Sequence, residues 1–288
     1  MPTIQYLVRG KEPVTTILTN AAPRMLMAAN ENNYIEFFRR CRDWPGFEFH
    51  DELADFIWWT SDVPSTIFNH AYRAILKADT ANATIDMIKE ICVTRKVPFK
   101  WTLGSKKKPA DLGERLMANG FEKAPDPIWM AARLKYLDDT LELASGVSIS
   151  PVEDEATFEA WLAILAEVFE FPETLSMAFE QVLRMLGIGN KTLRHYIAYL
   201  NGEPVGTSTL LLAGGVAGIY NVATLPDARR RGIGTALTVT PLLESRSKEI
   251  QVGVLQSSTM GKPVYEKIGF SDLSLPDYPI EEYVWTPD

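Results

Sequence analysis

The passage from Val216 to Thr235 limits what this chain can fold into more than any other stretch. Val216 to Thr224 is an apolar run of strand character, and Pro226 ends it. The next residues, Pro226-Asp227-Ala228-Arg229-Arg230-Arg231-Gly232-Ile233-Gly234-Thr235, lead into helical spacing at Ile233, Ala236, Leu237, Thr240 and Leu243. A strand that delivers a basic, glycine-containing loop to a helix N-terminus makes an anion site. Unpaired backbone N–H groups converge there, the helix dipole favours negative charge, and glycine lets phosphate oxygens approach. Two common phosphate motifs do not fit. The Walker loop needs lysine and then Ser or Thr after its last glycine, whereas Thr235-Ala236 stands here. The dinucleotide fingerprint needs a small residue where Leu237 sits, and its preceding strands are parallel.

The flanking sequence predicts a mixed sheet. His195 to Leu200 and Pro204 to Leu212 read as an antiparallel pair joined at Asn201-Gly202, and Gly214-Gly215 turns the chain into the strand at Val216. Alternation along that strand places Ile219, Asn221 and Ala223 on one face and Tyr220, Val222 and Thr224 on the other. Pro241 is the one conflict in the following helix, because it removes a backbone donor. Gln251 to Gln256 reads as a strand, Pro263 opens a short helix that Gly269 stops as a left-handed cap, and Ile280 to Trp285 is a last strand. Upstream, Ser148 to Ser150 suggests a strand, and Glu155 to Phe169 and Thr174 to Leu186 suggest helices. The expected fold class is α+β, a mostly antiparallel mixed sheet flanked by helices, over residues 146–288.

The first half repeats the order. Phe68 to Ile75 is a candidate strand, Ala83 to Cys92 a helix, Val97 to Leu103 a strand, Ala110 to Ala118 a helix, and Ile128 to Leu134 a further strand. Gly120-Phe121 and Gly269-Phe270 close equivalent helices 149 residues apart, so the chain reads as a tandem of one fold, residues 1–140 and 146–288, with a polar connection over Leu137 to Gly146. Phe56-Ile57-Trp58-Trp59 is an apolar run placed to pack in a core or to wall a pocket at the junction of the halves.

Composition narrows the partners. The 288 residues are 46% hydrophobic and 23% charged, which suits a globular chain, and the formal charge of −8 opposes nucleic acid and anionic lipid. No run approaches the ~18 apolar residues of a membrane helix, and the N-terminal residues have no basic segment leading into an apolar one, so a cytoplasmic address is expected. Cys41 and Cys92, and His50, His70 and His195, are scattered without ligand spacing, so neither disulfide nor metal is expected.

The glycine loop resembles the Arg/Gln-x-x-Gly-x-Gly/Ala signature of the GNAT acetyltransferase superfamily, matched here as Arg229-x-x-Gly232-x-Gly234 after an apolar strand. The resemblance extends through Leu255-Gln256-Ser257-Ser258 to Tyr265-Glu266-Lys267-Ile268-Gly269-Phe270, similar to the family's Tyr-x-x-x-Gly-Phe, and covers residues 146–288. It implies acetyl-CoA or another acyl-CoA as co-substrate. The pyrophosphate would rest on the amides of Arg230, Arg231, Gly232, Ile233, Gly234 and Thr235, and the pantetheine arm along Val222, Ala223 and Thr224. It implies Tyr265 as the acid for a departing thiolate, and Ser258 beside the thioester or capping the next helix. The acceptor would be the amine of a small molecule or peptide. Glu170, Glu173, Tyr220 and Asn221 are candidates for the base or for holding a water, with solvated charge the competing reading for both glutamates. The first half lacks the loop, since residues 74–82 contain no glycine, and Leu116 stands four residues before Gly120 where Tyr265 stands before Gly269; it reads as a degenerate GNAT-like lobe. A chain that kept the loop without catalysis would be an acyl-CoA-binding sensor or regulator.

Overall fold

A computed structural model describes residues 23–53, 55–104, 106–137, 143–248, 250–274 and 279–287. The N-terminal residues and most of the expected connection after Leu137 lie outside the described residues. In chain order the elements of the first half are α1 (Pro23–Arg40), β1 (Glu48–Leu53), β2 (Phe56–Thr60), β3 (His70–Tyr72), α2 (Ala81–Arg95), β4 (Phe99–Leu103), α3 (Leu112–Ala118), β5 (Glu122–Lys123) and β6 (Ile128–Arg133). The second half holds β7 (Val147–Pro151), α4 (Glu155–Val168), α5 (Glu173–Leu186), β8 (Leu193–Leu200), β9 (Glu203–Ala213), β10 (Val216–Thr224), α6 (Ile233–Arg246), β11 (Val252–Ser257), α7 (Lys262–Ile268), β12 (Ser271–Asp272) and β13 (Glu281–Trp285).

These form two mixed sheets, six strands in the order β1-β2-β3-β4-β13-β5 and seven in the order β12-β6-β11-β10-β9-β8-β7. The α+β class expected from sequence is observed. Each sheet is antiparallel except for one central pair, β3 with β4 and β10 with β11. From that pair outward the two sheets follow the same order, so the internal repeat is real at the level of topology. The pairing also crosses the midline of the chain. The strand at Ile128–Arg133 does not close the first sheet; β6 pairs antiparallel with β11 from Val252↔Arg133 to Ser257↔Ile128. The last strand in turn leaves the second half, and β13 pairs with β4 from Glu281↔Leu103 to Trp285↔Phe99.

Three apolar cores fill the layers. Ile85, Ile88, Leu112 and Leu116 of α2 and α3 pack on Phe99, Trp101 and Leu103 of the first sheet. On the far face of the second sheet, Ile233, Leu237 and Leu242 of α6 cover Tyr196, Leu210 and Ala217. Between the sheets a third core joins α1, α4 and α5 to both, through Phe38, Trp59, Tyr72, Phe158, Trp161 and Leu211. Ile57 and Trp59 face this junction, whereas Phe56 and Trp58 belong to the first-sheet core, so the aromatic run divides by simple alternation.

Helix α1 and strand β1 have no counterpart in the sequence reading. The buried stripe of α1 includes Asn30 and Asn33, both fully inaccessible, which count as polar in any periodicity. Their amides satisfy sheet carbonyls: Asn33 Nδ2 donates to Leu211 O at 3.1 Å and Ala213 O at 2.9 Å, and Asn30 Nδ2 to Leu255 O at 3.0 Å. A Cβ on Gly218 would overlap the Asn33 side chain, so that glycine is what allows α1 to seat on β10.

Helix α6 runs through Pro241 without ending. Proline at this position leaves the carbonyl of Leu237 without its helical donor. The hydroxyl of Ser208 on β9, itself fully buried, donates to Leu237 O at 2.8 Å and replaces the missing bond. Among the described residues no helix is long and apolar enough to cross a membrane.

This compensation predicts coupling. Ser208→Ala leaves a buried carbonyl unsatisfied and is expected to lower unfolding free energy by about 1–3 kcal/mol. In a Pro241→Ala background the restored N–H takes over, and the same substitution is expected to cost less than about 1 kcal/mol. Urea denaturation of the four-member cycle measures the coupling; equal costs in both backgrounds would show that Ser208 does not serve Leu237.

Candidate functional site

The second sheet opens beside its parallel pair. β10 and β11 are in register at Ala217↔Gly253, Gly218↔Val254 and Ile219↔Leu255, and the pairing stops there. On its other side β10 pairs with β9 at Tyr220↔Thr209 and then at Ala223↔Thr207, so Asn221 and Val222 together oppose Ser208. This is a β-bulge, and Asn221 takes the left-handed conformation it needs, at φ +54°. Thr207 Oγ1 donates to Asn221 O at 2.8 Å, and Asn221 Nδ2 donates to Thr209 Oγ1 at 3.1 Å. Thr209 Oγ1 also meets His195 Nδ1 at 2.9 Å, and burial pushes the pKa of that imidazole down to about 4, keeping it neutral at pH 7.

The bulge corrects the face assignment made from strict alternation. Ile219 and Val222 both pack on the α6 side, while Tyr220 turns to the junction core. Tyr220 donates its hydroxyl to Asn33 Oδ1 at 2.7 Å, and burial raises its pKa above the usual phenol range. Tyr220 and Asn221 are therefore both committed to protein partners.

Beyond Thr224 the chain reaches the basic loop. Arg229 is anchored by its Nε on Thr224 O at 3.1 Å, Arg230 is left-handed at φ +63°, and Gly232 is left-handed at φ +75° as the N-cap of α6. Arg229, Arg230, Arg231 and Gly232 are exposed, Ile233 is buried against the sheet, and Gly234 and Thr235 are partly exposed. After Arg229, the first amide to meet a backbone carbonyl among the described residues is that of Ala236, on Gly232 O at 2.9 Å. The amides between them are the free donors of a helix N-terminus. A Cβ on Gly232 or Gly234 would meet no protein atom within 4 Å, so neither glycine is required by packing. For Gly232 the requirement is its conformation.

Tyr265 stands on α7, the helix that follows β11. Its ring packs edge-on to Phe270 at 6.0 Å, and the Ser257 and Ser258 hydroxyls gather with it around Gly261. Burial raises its pKa to about 12, and no described residue takes up its hydroxyl in a hydrogen bond. Ser258 Oγ accepts from Gly261 N at 3.1 Å, which is the capping geometry, while its own proton stays available. Glu170 and Glu173 are exposed at the turn between α4 and α5, and neither bonds to β10 or β11 among the described residues.

The first sheet has the same opening, already filled. β3 and β4 are in register at His70↔Lys100 and Ala71↔Trp101, and Tyr72 is followed by Arg73 at φ +53°, as Tyr220 is by Asn221. Beyond this point Lys108 lies along the strand extension. Its amide donates to Ala74 O at 2.9 Å and its carbonyl accepts from Leu76 N at 2.9 Å. The intervening Ile75 N points the other way, to Asp55 O beyond β2, so Lys108 occupies the edge turned toward β4. Sequence reading finds the missing glycines here and misses the filled edge, because the filling is a loop from 30 residues downstream.

The acetyltransferase (GNAT) domain model matches residues 191–272. No curated protein sequence matches the chain. Among solved structures, a GCN5-related N-acetyltransferase from Kribbella flavida superposes with TM-score 0.65 at 16% identity, covering 94% of this chain and 97% of its own. A GCN5-related N-acetyltransferase from Sphaerobacter thermophilus gives 0.59 at 15%, covering 93% and 94%. A conserved protein of unknown function from Staphylococcus epidermidis gives 0.60 at 15%, covering 85% and 96%. The whole two-sheet arrangement is thus shared with these proteins. The chain carries a GNAT acetyltransferase domain over residues 191–272, set in a two-sheet fold common to GCN5-related N-acetyltransferases.

Proposed function

We propose that residues 146–288, with β6 taken in and β13 given up, form an acetyl-CoA-dependent N-acetyltransferase lobe acting on the amine of a small molecule or peptide, and that the rest of residues 1–140, completed by β13, is a degenerate partner lobe. The observation that carries this reading is the continuity of three features. β10 parts from β11 after Ile219, its bulge presents Val222, Ala223 and Thr224 along the opening, and the same strand runs into a left-handed Gly232 at the start of α6.

The residues divide the work. The amides from Arg230 to Thr235 receive the pyrophosphate, with Arg229, Arg230 and Arg231 supplying countercharge. The free edge at Val222 to Thr224 takes the amide-bearing pantetheine arm by backbone pairing. As the amine nitrogen bonds to the thioester carbon and the carbon–sulfur bond breaks, Tyr265 gives its phenolic proton to the departing sulfur, the proton shed by the acylated nitrogen restores the phenol, and Ser258 steadies the same end of the arm. A phenol raised to about 12 by burial holds its proton at neutral pH, so Tyr265 is present in the acid form and not as the first base.

Three outcomes test the reading. Calorimetric titration is expected to find one CoA per chain, because Lys108 fills the first lobe's edge; two equivalent sites would contradict it. Gly232→Val should weaken CoA by about 1–3 kcal/mol, since a β-branched residue resists the left-handed conformation. An unchanged dissociation constant would remove the loop from the site. Tyr265→Phe is expected to lower kcat by roughly 10²- to 10⁴-fold with CoA affinity retained, and to change stability by less than about 1 kcal/mol, as its hydroxyl has no protein partner to lose. In the parent enzyme an acid with this raised pKa gives no falling limb in kcat below about pH 11. Near-normal turnover in the variant would assign the proton to water or another group.

A further inference from the structure

A cleft of about 230 Å³ lies where the two lobes meet, walled by Trp44, Pro45, Val63 and Pro64 of the first and by Met177 and Ala178 on α5 of the second. Its walls are fixed from both sides. Asn69, fully buried, braces the turn after β2: its Oδ1 accepts from Ser61 N at 2.8 Å and Thr60 Oγ1 at 3.0 Å, and its Nδ2 donates to Val63 O at 2.7 Å and Ser65 O at 2.9 Å. Trp44 packs on Phe68 at 5.3 Å and donates its Nε1 to Gln181 Oε1 of α5 at 3.3 Å. Phe68 in turn meets Phe179 of α5 edge-on at 5.5 Å. Walls tied in this way leave a preformed space, the usual condition of a small-molecule site.

The lining selects a charge. Besides the apolar walls it contains Ser61, Asp62, Thr174 and Gln181, and Asp62 is the one ionisable side chain among the lining residues. Asp62 Oδ1 accepts from Arg95 Nη1 at 3.0 Å, but the same guanidinium also serves Glu48 and Gly46 O. One cation thus answers two carboxylates, and the rim keeps a net negative charge. Asp62 Oδ2, close beside Gly46, takes no hydrogen bond among the described residues. The lining also leaves apolar surface uncovered: Met177 is 50% exposed, and its thioether chain adapts to the shape laid against it. An apolar cavity of about 150 Å³ takes benzene, so this cleft has room for one ring and a chain of roughly two or three atoms.

We propose that the cleft binds an arylalkylammonium ion, its ring among Trp44, Pro64 and Met177 and its ammonium donating to Asp62 Oδ2. An anion of the same shape is repelled by the rim, a neutral ligand leaves the carboxylate without its counterion, and a small cation without a ring leaves the apolar walls wet. No lining residue belongs to β10, the basic loop or α7, so this site stands independently of the acetyl-CoA reading.

Calorimetric titration of the full chain with phenethylammonium at neutral pH, in the absence of acetyl-CoA, tests the site, beside phenethyl alcohol, phenylpropionate and ethylammonium. Phenethylammonium is expected to bind with a dissociation constant below about 1 mM, within reach of a ligand of its size. Ethylammonium should bind at least about tenfold more weakly, because the ring is what covers apolar surface. Phenethyl alcohol should bind at least about threefold more weakly, the scale of an ion pair at a solvent-exposed rim, and phenylpropionate more weakly again. Asp62→Asn should bring phenethylammonium down to the level of phenethyl alcohol. Met177→Lys, which sets a cation at an exposed position of the lining, should weaken phenethylammonium at least about threefold and phenethyl alcohol less. Absence of binding at about 10 mM, equal affinity for phenethyl alcohol or ethylammonium, or an affinity unchanged in either variant would each overturn the site. Because acetyl-CoA takes no part in the titration, such a failure leaves the acetyl-transfer reading standing.

Discussion

Everything in this molecule depends on the exchange of one strand between its two sheets. β6, made in the first half, supplies a six-residue ladder to β11, and β13, made at the end of the chain, supplies a five-residue ladder to β4. Without β6 the strand that bounds the opening in the second sheet would be an edge, with half its backbone groups unpaired. With it, β11 is held on its far side while its near side is released from β10 after three residue pairs. The opening is therefore a property of the whole chain. Helix α1 reinforces this, since its two buried asparagines clamp β9, β10 and β11 from the junction.

The exchange also sets an order of assembly. Thr102 and Glu282 hydrogen-bond across 180 residues of sequence, so the first sheet is incomplete until nearly the whole chain exists. Such non-local pairing carries a large loop-closure cost before any contact rewards it. The early half must wait with β4 uncovered, and the two lobes reach their final form together.

Much of the second half was legible in the sequence. Val216–Thr224 and the start of α6 fall where the apolar pattern and glycines put them, and Gly269 caps α7 in the left-handed conformation as read. What alternation cannot reveal is an inserted residue. At Asn221 the bulge turns Tyr220 to one face and both Ile219 and Val222 to the other, and the only local signal is an asparagine in a strand, a residue that tolerates positive φ. Helix α1 was hidden for a related reason: Asn30 and Asn33 are core residues whose partners are carbonyls from distant strands, and no periodicity assigns a polar side chain to a core. Pro241 seemed to oppose its helix because the hydroxyl that relieves it, on Ser208, is 33 residues upstream.

The filled edge in the first lobe has a consequence for competition. Lys108 is held beside Ala74 and Leu76 by its own chain, through a loop that begins at the end of β4, only a few residues away. A segment tethered so closely presents itself at an effective concentration on the order of millimolar or more, and it is present at every moment, independent of supply. A diffusing arm meets in this lobe a rival that never dissociates into solution. Along this edge the first lobe is its own ligand, and it serves the other half with a helix laid over that half's sheet and a strand lent to its edge.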